Sequence, residues 1–80
     1  MPTLWVEDGF RFFFYSNEGD PREPVHIHAT RDRDEAQFWL FPEPSVAYNR
    51  GFNARVLADL LRIVESRRGE IEEAWHDHFG

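Results

Sequence analysis

The sequence predicts an α+β fold: a small antiparallel sheet of three to four strands, built from two β-hairpins, followed by two C-terminal helices. Three observations predict it. Asp8-Gly9 separates two β-prone apolar runs. The stretches Val25–Arg31 and Glu35–Phe41 both alternate apolar and polar residues around a polar turn. From Val56 onward the apolar spacing changes from two to the helical period. Strands followed by helices, rather than interleaved with them, give a segregated α+β layout within one domain, residues 1–80.

Asp-Gly suits a two-residue hairpin turn because both central residues need positive φ. It joins a strand over Thr3–Glu7 to one over Phe10–Ser16 and sets the pairs Glu7–Phe10, Val6–Arg11, Trp5–Phe12 and Leu4–Phe13. A polar Gly/Pro loop, Asn17–Pro24, follows. The second hairpin closes around Asp32-Arg33, pairing His28 with Gln37 and His26 with Trp39. Its alternation places Val25, Ile27, Ala29, Ala36, Phe38 and Leu40 on one face. His26, His28, Thr30, Glu35, Gln37 and Trp39 fall on the other. Pro42 and Pro44 end the fourth strand. The stretch SVAYNRGF reads either as a short edge strand or as a structured loop. Asn53 is a good N-cap. Val56, Leu57, Leu60, Leu61 and Val64, then Ile71, Trp75 and Phe79, mark helices over about Asn53–Glu65 and Arg67–His78.

Eighty residues without a cysteine leave a narrow stability margin and no disulfide or Cys-based zinc to widen it. Aromatic side chains, 16% of the chain, must supply much of the core. The formal charge is −6 and every basic residue is arginine. Bulk electrostatics therefore disfavour nucleic acid, although a local arginine cluster can still hold phosphate. The opening MPTLWVEDGF lacks a basic start and an apolar run, and no stretch approaches the ~20 apolar residues of a membrane span. A cytoplasmic protein without membrane attachment is expected.

His26 and His28 share one side of a strand, about 7 Å apart along it. Such a pair can supply an acid and a base to a scissile phosphate. It can also supply two metal ligands, with Glu35, Glu18, Asp20 or a C-terminal histidine as a third. The plain alternative is a solvent-facing or helix-covered pair with ordinary hydrogen bonds. The spacing fixes no third ligand, so no metal or other cofactor is expected. Arg11 and Arg50 are candidate phosphate contacts, and Tyr15 and Trp39 are candidate stacking groups for RNA bases. An outer-face imidazole should cost no more than about 1 kcal/mol when removed.

The ordered segments GFRFFFYSNEG, EPVHIHA, AQFWL, AYNRGF and EEAWHDHFG resemble the small bacterial proteins of domain-of-unknown-function family 4160. One departure is Gln37, where that family often carries lysine. The resemblance implies a protein encoded beside a partner, often one of domain-of-unknown-function family 2442, the two forming a candidate toxin–antitoxin pair. It carries no settled catalytic residues; His26 and His28 match the family's His-x-His. The resulting expectation is the toxin component of such a pair, acting on RNA or translation, with metal-independent cleavage by His26 and His28 as one route. The alternatives are a non-catalytic protein-interaction module and a small His-x-His metal-binding protein.

Overall fold

The computed structural model of the chain describes residues 3–15 and 23–80. Five strands, not three or four, form one antiparallel sheet in the order β1-β2-β3-β4-β5. They are β1 (Thr3–Glu7), β2 (Phe10–Phe13), β3 (His26–Arg31), β4 (Asp34–Trp39) and β5 (Ser45–Arg50). Two helices follow, α1 (Ala54–Ser66) and α2 (Arg68–Phe79). The fifth strand is the SVAYNR stretch, so its edge-strand reading is the correct one. Among the described residues no helix is long and apolar enough to cross a membrane.

The turns follow from local chemistry. Asp8 and Gly9 have φ of 54° and 82°, as a two-residue hairpin requires. Asp32 takes φ 56°, and the β3–β4 pairs run from Arg31–Asp34 to His26–Trp39 in the expected register. The first hairpin departs from expectation in one place. Thr3, not Leu4, lies opposite Phe13, because Leu4 is an extra residue in β1. The bulge turns Leu4 towards the core beside Trp5. A second bulge, at Ala47, shifts β5 between its Gln37–Tyr48 and Phe38–Val46 pairs. Both sheet edges are thus bulged, a common way to blunt strand addition. Of the strand expected over Phe10–Ser16, Phe14 and Tyr15 lie past the end of β2. Ser16 and the loop residues up to Arg22 lie outside the described residues.

The helices cover the Ile27 face of the sheet. Phe12, Phe14, Ile27, Ala29, Ala36, Phe38 and Leu40 meet Leu60, Val64, Ile71 and Trp75 in one core. The side chain of Asn53 accepts a hydrogen bond from the Val56 N–H at 2.9 Å, capping α1. Arg67, with φ −111° and ψ 17°, interrupts the helical path, so α1 and α2 are separate helices. Its guanidinium lies 4.8 Å from the Trp5 ring, and its Nε donates to Glu7 at 3.1 Å. That joint fastens the start of α2 to β1.

Candidate functional site

The face of the sheet left by the helices carries the residues singled out for function. Cross-strand pairing brings Arg11 and Phe13 of β2 beside Thr30 and His28 of β3. It brings His28 beside Gln37, and Glu35 beside Arg50. Arg11 stays on this face, its guanidinium 4.7 Å from the Phe13 ring centre. Arg50 ends β5 and is exposed. The shape of the Tyr48–Phe52 segment comes from Asn49, which donates to the Phe52 carbonyl and accepts from the Phe52 N–H. Gly51 completes it at φ 108°, where a Cβ would run into the Asp34 carboxylate.

The two histidines hold their expected register but not their expected surroundings. His26 is 0% exposed and His28 is 3% exposed. Pro24 O lies 2.8 Å from His26 Nδ1, which therefore donates to it. The His26 ring meets Trp39, His28 and, at 4.9 Å, Trp75 of α2. At the first residue of β3 the alternation no longer separates the two sides of the sheet, because α2 reaches the sheet end. His28 stacks on Phe13 at 5.2 Å and meets Tyr15 edge-on at 4.6 Å. The outer, solvated His pair is therefore corrected: both rings are packing elements, and their removal must cost more than a surface substitution.

Glu35 is the hub of this face. Its carboxylate accepts the Tyr15 hydroxyl at 3.1 and 3.2 Å and the Tyr48 hydroxyl at 2.5 Å. His28 Nδ1 lies 3.4 Å from Oε2. The hub joins the end of β2 to β3, β4 and β5. Burial, then the hydrogen bond to Glu35 and the charge of Glu35, push the Tyr48 pKa well above the ordinary tyrosine value. That phenol stays protonated through the neutral range. Glu35 entered the sequence reading only as a possible metal ligand, and Tyr48 had no assigned role. Their meeting depends on β5 pairing with β4 through the Ala47 bulge, which alternation alone does not reveal.

Among the described residues, no three or more His, Asp and Glu side chains gather as a metal-ligand set. Glu18 and Asp20 lie outside the described residues. The C-terminal histidines are elsewhere, in the last turn of α2, where His78 packs edge-on against Phe79 at 4.6 Å. Tyr15, assigned to stacking, is half-buried and tied to Glu35. Trp39 is half-buried, and Tyr48 is 39% exposed. Gln37, the departure from the lysine pattern, sits opposite Tyr48 in the middle of this face. What the arrangement offers is aromatic surface flanked by Arg11 and Arg50.

No curated protein and no solved structure matches this chain. The family model described as "Domain of unknown function (DUF4160)" matches residues 9–76, which include all five segments of the sequence resemblance except the last few C-terminal residues. With that match over most of its length, the chain belongs to the DUF4160 family.

Proposed function

We propose that this protein is the toxin-side member of a two-protein toxin–antitoxin pair, and that it acts on RNA or the translation machinery by binding through the helix-free face of its sheet. The observation that carries the reading is the composition of that face. Among the described strand residues of this face, Arg11 and Arg50 stand against the carboxylate of Glu35, two positive charges to one negative on a chain of net charge −6. Trp39 and Tyr48 lie on the same face. Arginine beside stacking groups suits a single-stranded nucleic acid. The burial of His26 and His28 favours binding over a route in which both transfer protons to a substrate.

The test is growth on induction of the chain alone, or together with its antitoxin-side neighbour, of the family 2442 type or otherwise. Growth inhibition relieved by the neighbour is expected. An Arg11→Ala/Arg50→Ala double variant should lose the inhibition while melting close to wild type. A wild type that never inhibits growth would sink the toxin reading. A double variant that inhibits fully would remove this face from it.

A protein-interaction module is the second reading, favoured by Phe41 and Val46, which are 45% and 39% exposed near the β4–β5 connection. It expects a stoichiometric complex with the neighbouring protein, weakened by Val46→Asp, and no RNA binding.

A further inference from the structure

We propose that Trp39 and Tyr48 form a stacking platform for two successive bases of single-stranded RNA, with Arg50 as the adjoining phosphate contact. This deepens the RNA reading above and rests on it. Tyr48 lies opposite Gln37, and Trp39 is two residues beyond Gln37 on the same side of β4. In a regular ladder such diagonal neighbours are about 7–8 Å apart, and here the Ala47 bulge, which lies between the two positions, alters that spacing locally. Two unstacked bases of an extended strand can each meet one ring at such a separation. Arg50 is two residues beyond Tyr48 on the same side of β5, further from Trp39 and opposite Glu35.

The other aromatic groups of this face are committed to packing. Phe13 is buried under the stacked His28 ring, and Tyr15 meets both rings edge-on. His26 braces Trp39, with the two rings nearly perpendicular and 5.5 Å apart. Glu35 holds Tyr48 by its hydroxyl. Both platform rings are thus positioned before a ligand arrives, which lowers the ordering cost of binding.

Stacking does not read base identity, so the platform should take single strands of any sequence and discriminate against duplexes. The measurement is fluorescence anisotropy of a labelled single-stranded oligouridylate and of a duplex of the same length, using the full chain. Wild type should bind the single strand in preference. Trp39→Ala and Tyr48→Ala should each weaken that binding by about 5- to 150-fold, the range for loss of one stacking ring. Tyr48→Phe keeps the ring without the hydroxyl and should retain most of the affinity, which separates stacking from loss of the Glu35 hydrogen bond. Arg50→Ala should lower the affinity and the salt slope by about one phosphate contact. Melting curves identify any variant that fails to fold, and Tyr48→Phe with Arg50→Ala then decides.

Three results would overturn the platform. Single-stranded binding unchanged in Trp39→Ala and Tyr48→Ala would remove it while leaving an arginine-based RNA reading in place. Equal affinity for duplex and single strand would do the same. A wild type that binds no RNA but forms a tight complex with the neighbouring protein would overturn both the platform and the RNA reading.

Discussion

Tyr48 shows how far a single side chain can depart from its sequence context. In the sequence it is a tyrosine in a polar stretch; in the fold its hydroxyl is held by a half-buried carboxylate. Its folded-state pKa lies above the ordinary value of 10.0. The stability linked to that proton is complete below the unfolded value and declines as the pH climbs above it, because the unfolded chain then releases a proton that the folded chain keeps. The chain has two tyrosines. Phenolate absorbance at high pH should therefore lose the contribution of one late-titrating phenol in Tyr48→Phe relative to the wild type. Complete titration of both phenols near pH 10 would contradict the Glu35–Tyr48 contact. His26 gives the second residue-scale prediction. With its ring enclosed by Trp39, His28 and Trp75, His26→Ala should cost about 2–4 kcal/mol, from lost packing and an orphaned Pro24 carbonyl. Chemical denaturation measures this, and a loss below about 1 kcal/mol would restore the surface role expected from alternation alone.

Elements were legible where local chemistry dictates them. Asp8-Gly9 and the two-sided alternation around Asp32-Arg33 each specify a hairpin, and the second keeps its register along its whole length. Asn53 and the apolar spacing specify α1, and Arg67 divides it from α2. The bulges were not legible. Leu4 and Ala47 are ordinary strand residues whose displacement is set by how each edge strand fits the twisted sheet and the helices behind it. Burial of the histidines was hidden for a related reason: it depends on Trp75, which is 49 positions away from His26 in the chain and meets it only after α2 docks. The same held for Glu35 and Tyr48, so the sequence revealed most residues of the face but not its hub. At this scale Gly69 yields a prediction of opposite sign. It lies in the first turns of α2, and an added Cβ meets nothing within 4 Å. Gly69→Ala should therefore stabilise the protein by about 0.5–1 kcal/mol, chiefly by restricting the unfolded chain. A lower denaturation midpoint would mean that this turn is not helical in solution.

Across the whole molecule, charge is divided between two layers. The helix layer holds much of the negative charge: α2 alone sets Glu70, Glu72, Glu73 and Asp77 against Arg68. The helix-free face carries Arg11 and Arg50 against Glu35. The layers are separated by roughly the 10 Å of packed secondary structure, close to the Debye length at about 0.1 M salt. At physiological ionic strength salt weakens the effect of the acidic layer on a ligand at the sheet, whereas the two arginines would touch that ligand. This division leads to a quantitative expectation for RNA binding. Two phosphate contacts to a single strand give a slope of about −1.4 in log affinity against log salt, so raising salt from about 50 to 200 mM should weaken binding only about sevenfold. A strongly basic RNA-binding domain with many contacts would lose orders of magnitude over the same interval. Arg11→Ala and Arg50→Ala should each flatten the slope by about half, while Trp39→Ala should lower affinity and leave the slope unchanged, because stacking releases no counterions. A steep slope in the wild type would place the binding surface elsewhere on the molecule, and a slope unaffected by either arginine would show that neither one meets a phosphate.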